Sequence, residues 1–225
     1  MEGHCPKKGS CPHVAEANRR TREIFKRMQF YRDKLLVETE RREKTEQMLL
    51  TDPLTGALNR RGLEKNFLEE CSKTSRFGRK LFRLFMDIDG FGAFNKEHGE
   101  HTGDLVLQKV VETVASGFRP YDSIYRIGGE EFVVLLPEIK SIRTACRLAE
   151  RIRKKVMELR VTPHDVAEPL GVTVSMGMAR LGTGDSLDTL VDKANEAELE
   201  AKKKGKNRTF VYLGGEVLPA ESLIK

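Results

Sequence analysis

Residues 1–17 carry Gly, Pro, Cys and His without a helical period and are expected to form a loop or tail. No Gly or Pro interrupts residues 18–50, where apolar residues recur at Ile24, Met28, Tyr31 and Leu35, a spacing that predicts a long helix with one apolar stripe. The same heptad then carries Glu38, Arg42 and Thr45 before Leu49 restores it. A parallel pair of such helices would be well zipped at its start and loose in its second half; the alternative is a solvated single helix. Thr51-Asp52-Pro53 stops the pattern. Beyond it the periods alternate. Helices are expected over 60–75, 102–118, 142–159 and 187–204, and strands over 81–88, 123–127, 131–136, 172–179 and 208–213. The strands 123–127 and 131–136 close around Gly128-Gly129, the composition of a tight hairpin turn. This order predicts an α/β fold of the α+β sandwich type, with a mixed central sheet over 51–213. Residues 214–225 read as a tail.

Composition narrows what such a fold does. With 225 residues and 39% hydrophobic content a real core is within reach, and Lys and Arg outnumber Asp and Glu to give a net charge of +6, which favours anionic partners. There is no Trp and only 7% aromatic residues, too few for the stacking platforms of a single-strand nucleic-acid binder. No apolar run reaches the roughly 18 residues of a spanning helix, and the polar start lacks a secretory signal, so no membrane insertion and a cytoplasmic location are expected. Cys5, Cys11, Cys71 and Cys146 are then expected to be reduced thiols. His4, Cys5, Cys11 and His13 could together ligate zinc, although their spacing fits no compact zinc motif; the alternative is a mobile tail.

Two acidic sites carry the candidate chemistry. At the end of the apolar strand, Asp87-Ile88-Asp89 sends both carboxylates to one face while Ile88 points into the core. Such a pair needs a cation or donors to offset its repulsion, and Mg²⁺ takes hard oxygens and shares its shell with phosphates. Asp89 has the alternative of capping the following loop. The second site is Arg126-Ile127-Gly128-Gly129-Glu130-Glu131-Phe132, where a turn without side chains lets a nucleotide approach the backbone and two carboxylates follow it.

RIGGEEF at 126–132, DPLTGALNRRGL at 52–63, MDIDGF at 86–91 and AKKKGKNR at 201–208 stand in the order and spacing of the GGDEF family of diguanylate cyclases, which this chain resembles over residues 51–213. The resemblance implies a palm-like nucleotidyl cyclase domain. Two such domains, each holding one GTP, would face each other as a homodimer and make cyclic di-GMP with release of two pyrophosphates. It implies that Asp87, the Ile88 carbonyl, Glu130 and Glu131 hold Mg²⁺, with Mn²⁺ as a possible substitute. Glu130 would also accept the proton of the attacking 3′-hydroxyl, with Glu131 beside it. Phe91, Asn95, Asp104, Gly128, Gly129, Lys202 and Lys206 would contact GTP. Among them Asn95 and Asp104 would select guanine, because a carboxylate pairs with the N1–H and 2-amino donors that adenine lacks. Lys202 and Lys206 would contact phosphates. Arg119 and Asp122, an RxxD pattern five residues before GGEEF, with Arg151 on a neighbouring helix, resemble the family's inhibitory cyclic di-GMP site. The chain departs from the family pattern at Gly92, Lys96 and Glu100 near the substrate, and at Asn195, Glu198 and Leu199, where the change is expected to touch packing more than chemistry. A catalytically weak module that binds cyclic di-GMP or GTP is the competing reading.

Overall fold

The computed structural model describes residues 12–78, 80–163, 168–182 and 184–224. His4, Cys5 and Cys11 lie outside the described residues, so the zinc expectation does too, and His13 belongs to a helix. The chain divides into two compact units, with the boundary in sequence between Leu49 and Leu50.

The first unit is α1 (Pro12–Leu50), a single uninterrupted helix. It starts earlier than expected from the loop-like composition around Pro12. Proline is well tolerated as the first residue of a helix, where its missing N–H has no carbonyl to bond and its φ is already helical. The stripe residues Ile24, Met28, Tyr31 and Leu35 are all exposed. In the second half the seam positions Glu38 and Arg42 pair with each other along the helix at 3.4 Å, and Thr45 turns its hydroxyl onto the Arg41 carbonyl.

The second unit is a seven-stranded mixed sheet with helices on both faces. Its elements are β1 (Leu58–Asn59), α2 (Arg60–Phe77), β2 (Leu81–Ile88), α3 (Phe91–His98), α4 (Glu100–Ala115), β3 (Ser123–Arg126), β4 (Glu131–Pro137), α5 (Ile142–Glu158), β5 (Val174–Arg180), α6 (Leu187–Lys203), β6 (Thr209–Leu213) and β7 (Glu216–Pro219). The strand order is β1-β3-β4-β2-β5-β6-β7. β2 lies in the middle, antiparallel to β4 and β5, and all eight of its residues are buried, which is why apolar residues fall on both its faces and only Arg83 and Asp87 are charged. One face of β2 (Phe82, Leu84, Met86, Ile88) packs in the larger core with Val106, Val110 and Val114 of α4 and Ala149, Ile152 and Val156 of α5. The other face (Leu81, Phe85) packs with Leu63 and Phe67 of α2 and Leu190 and Ala194 of α6.

Three elements were not expected: the two-residue β1, α3 and β7. α3 follows Gly90, whose φ of 73° turns the chain into a helix that opens with the buried Phe91. At the other end, residues 214–225 are not a tail throughout. Gly214 and Gly215, with φ of 63° and 90°, turn β6 back into β7, and a short 3₁₀ turn then buries Ala220 and packs Leu223 and Ile224 against the larger core. Among the described residues Cys71 and Cys146 are unbridged, and no helix is long and apolar enough to cross a membrane.

Candidate active site

The two acidic motifs meet because β2 and β4 are neighbours. Their register sets Asp87 opposite Glu131, and the Ile88 amide donates to the Glu130 carbonyl at 3.3 Å. The hairpin between β3 and β4 is closed by Ile127 N–H donating to the Glu131 carbonyl at 3.0 Å. Arg126 clamps the turn, donating from Nε and Nη2 to the Gly129 carbonyl at 3.1 and 2.9 Å and from Nη1 to Asp52 Oδ1 at 3.0 Å. Asp52 also accepts from the Thr55 amide and hydroxyl at 2.8 and 2.6 Å. Burial alone would raise the Asp52 carboxyl, but the Thr55 bonds and Arg126 outweigh it and hold it below the usual range. The DPLT segment is thereby tied to the turn that presents Glu130. At Gly128 a Cβ would collide with the folded-back Glu131 carboxylate, whereas Gly129 faces open space.

The acids crowd one another. Burial raises Asp87, and Glu131 and Asp89 raise it further; burial likewise raises Glu130, with Asp87 and Glu131 adding to it. The compensating charge is Lys202, at the end of α6, whose Nζ lies 3.0 Å from Asp87 Oδ1 and 2.9 Å from Glu198 Oε1. These carboxylates and the adjoining backbone carbonyl are hard oxygen donors under mutual repulsion, a donor set that fits a divalent cation such as Mg²⁺ in type and charge. Among the described residues no three acidic, His or Cys side chains are already gathered into a coordination set.

Asp89 shares that face of β2 but is occupied differently. It caps no helix: its carboxylate accepts from the hydroxyls of Thr173 and Ser175, both at 2.6 Å, and from the Asn207 amide at 3.0 Å. The last bond anchors the turn that carries Lys206. There α6 ends in a Schellman motif, with Lys206 N–H on the Ala201 carbonyl (3.1 Å) and Gly205 N–H on the Lys202 carbonyl (3.2 Å). Gly205, Lys206 and Asn207 all have positive φ, and the exposed Lys206 projects from this turn.

Asn95 and Asp104 are brought together through Gly103. A Cβ there would strike Asn95 Oδ1, so the Asn95 amide lies directly on the Gly103 backbone, and its Oδ1 is buried with no hydrogen-bond partner. Asp104, the next residue, is exposed. Phe91 is buried beneath, stacked on Phe94 with centroids 6.1 Å apart. Glu100 opens α4, where the helix's positive end meets its charge, and at Gly92 a side chain would meet only open space.

Comparison with known proteins decides the family. The profile of the family described as diguanylate cyclase, GGDEF domain, matches residues 49–208. This chain belongs to the GGDEF family. Its GGDEF domain is 35% identical over 169 residues to the diguanylate cyclase DgcP of Pseudomonas aeruginosa, 35% over 161 residues to the diguanylate cyclase DosC of Escherichia coli, and 36% over 162 residues to the response regulator PleD of Caulobacter vibrioides. These matches take in 75%, 72% and 72% of this chain but 25%, 35% and 36% of the relatives, so the chain spans about a third or less of their length. Among solved structures, the coiled coil and GGDEF domain of DgcB from Caulobacter crescentus, in complex with c-di-GMP, aligns with a TM-score of 0.76 at 25% identity, over 84% of this chain and 98% of that one.

Away from the acidic site the GGDEF domain carries a charged cavity of about 380 Å³, lined by Arg119, Asp122, Ile139, Thr144, Arg147, Leu148 and Arg151. Asp122 has a fully buried side chain and accepts from Arg119 three times, from Nη2 at 2.7 Å, the amide at 2.9 Å and Nε at 3.2 Å. Arg119 Nη2 also donates to the Pro137 carbonyl at 3.0 Å, and Arg151 Nη2 to the Gly117 carbonyl at 2.9 Å. The three residues of the expected product site therefore do line one cavity. Arg147, one turn before Arg151 on α5, joins them and was missed, although its spacing of four from Arg151 was visible. Glu198, expected to touch packing more than chemistry, is the other residue that the site adds, 2.9 Å from Lys202 Nζ. The sign of it in the sequence is a carboxylate on the helix stripe of Ala194, Ala197 and Ala201.

Proposed function

We propose that this GGDEF domain is a diguanylate cyclase, a nucleotidyltransferase that joins two GTP molecules into cyclic di-GMP and releases two pyrophosphates. The observation that carries the reading is the placing of Asp87 and Glu130 at the mouth of the central strand, both desolvated and repelling one another, with Lys202 against them. Asp87, the Ile88 carbonyl, Glu130 and Glu131 would hold Mg²⁺, or Mn²⁺ in its place. Bound there, such a cation neutralises phosphate charge and lowers the pKa of the attacking hydroxyl. Glu130 accepts the proton of the 3′-hydroxyl, and the side-chain-free turn Gly128-Gly129 leaves room for the triphosphate beside it. Asp104 takes the N1–H and 2-amino donors of guanine, and Asn95, whose buried Oδ1 lacks a partner, completes the base contacts above Phe91. Lys206 reaches the phosphates from its turn, and Lys202 stands at their edge.

Joining two nucleotides at two such sites requires two copies face to face. The exposed stripe on α1 supports a parallel coiled-coil homodimer, and the DgcB fragment that this chain resembles is described as coiled coil and GGDEF domain. The cavity at Arg119, Asp122 and Arg151 is the candidate inhibitory site for cyclic di-GMP, because arginine forks match phosphate oxygens and guanine edges. The DgcB structure in complex with c-di-GMP supports that choice of ligand.

Incubation with GTP and Mg²⁺, read by mass spectrometry, is expected to yield cyclic di-GMP, and Glu130→Gln to lower turnover by about 10³-fold while GTP binding survives. No product at high protein concentration would reject the cyclase; binding of cyclic di-GMP without product would make the chain an effector module instead.

A further inference from the structure

Glu198 is 6% exposed and sits on the face of α6 made otherwise of Ala194, Ala197 and Ala201. That face lies so near β5 that a Cβ on Gly177 would collide with the Glu198 backbone, so the helix has no room to swing the side chain out. Its Oε1 has no well-directed hydrogen-bond donor, and what meets its charge is Lys202 Nζ at 2.9 Å. The same ammonium is 3.0 Å from Asp87, so one positive charge faces two carboxylates. Burial holds the Glu198 carboxyl above its usual range, with Asp87 and Asp89 adding to the effect and Lys202 opposing it.

We propose that Glu198 is a positioning residue that holds Lys202 back from the substrate's phosphates, so that the triphosphate is recruited through a divalent cation and not through the lysine. The inference rests on the reading of this site as a GTP site. A phosphate approaching Lys202 competes with both resident carboxylates and is repelled by them. Engagement of Asp87 with a cation removes one competitor. Glu198 lies outside the proposed metal ligands and keeps its hold, so the lysine's charge stays largely spent inside the protein. Removing Glu198 leaves Asp87 as the remaining resident competitor, so a triphosphate draws more readily on the lysine's charge without metal.

The test is equilibrium binding by calorimetry on the full chain, with GTP in EDTA and with 3′-deoxy-GTP, which lacks the attacking hydroxyl, in Mg²⁺. The wild type is expected to bind in Mg²⁺ and poorly in EDTA. Glu198→Leu is expected to bind GTP in EDTA about tenfold tighter than wild type, the value of one charged hydrogen bond. The nearly isosteric Glu198→Gln is expected to move in the same direction, which separates lost charge from altered packing. The gain disappears in the Glu198→Leu, Lys202→Met double variant. Unchanged affinity in EDTA for both Glu198 variants, or a gain that survives loss of Lys202, would overturn the role of Glu198. Absence of 3′-deoxy-GTP binding in Mg²⁺ by wild type and variants alike would overturn the GTP site itself, and the inference with it.

Discussion

Arg119 and Arg151 line the same cavity under different constraints. Arg119 is locked on Asp122, whose side chain is fully buried, whereas Arg151 rests on a single carbonyl. Deleting Arg119 strands a buried carboxylate; deleting Arg151 strands nothing charged. Arg119→Ala is therefore expected to relieve product inhibition and also to destabilise the fold, by about 1–2 kcal/mol once the partial exposure of the arginine is allowed for. Arg151→Ala is expected to weaken inhibition with an unchanged melting temperature. Inhibition curves with added cyclic di-GMP, run beside thermal melts, check both; inhibition that persists in both variants would remove the cavity from the regulatory reading. The same contrast explains which residues could be read in advance. Asp87, Glu130, Lys206 and the Arg119–Asp122 pair stand in local motifs, and their neighbours in sequence announce them. Glu198 and Arg147 do not, since each depends on what another element brings up to it. A carboxylate on a helix reads as a packing detail until the Asp87 that shares its lysine and the nearness of β5 are known.

Among the elements, α6 does most to shape the site, and its distance from the sheet is set at one residue of β5. At Gly177 a Cβ would collide with the Ala194 carbonyl and the Glu198 backbone. Gly177→Ala is expected to push α6 outward, lowering stability by about 2 kcal/mol. Because Glu198 and Lys202 ride on that helix, GTP affinity is expected to change as well. Thermal melts paired with nucleotide titration check this, and an unperturbed melt would show that the helix has slack. β2 to β6 and most helices were legible from periodicity, because β2 is apolar at six of its eight positions and the hairpin carries its own glycines. α3 was hidden because Gly90 and Gly92 interrupt any helical reading, and the αL turn at Gly90 that launches it leaves no apolar repeat. β7 was hidden because Gly214-Gly215 reads equally as the end of a domain or as a hairpin turn. The closing Pro219, which has no N–H to donate, is suited to the sheet's edge.

At the scale of the molecule, the catalytic proposal requires two GGDEF domains, and α1 is the element offered for joining them. Its first half presents apolar residues at the seam; its second half spends seam positions on the internal Glu38–Arg42 pair, worth only a few tenths of a kcal/mol. On that proposal dimer strength is expected to reside around Met28 and Leu35. Replacing both with Glu is expected to shift sedimentation from dimer to monomer and to make cyclic di-GMP production per chain depend on protein concentration. A dimer that survives the double change would move the interface elsewhere.

Beyond β7, Ile224 reaches α5 and lines a shallow hollow with Arg147, Arg151 and Lys154. Ile224 thus packs beside the helix that carries the arginines of the proposed inhibitory site. An extension joined after Ile224 is therefore expected to disturb the packing beside that helix, and inhibition by cyclic di-GMP to differ between differently tagged preparations while catalysis agrees.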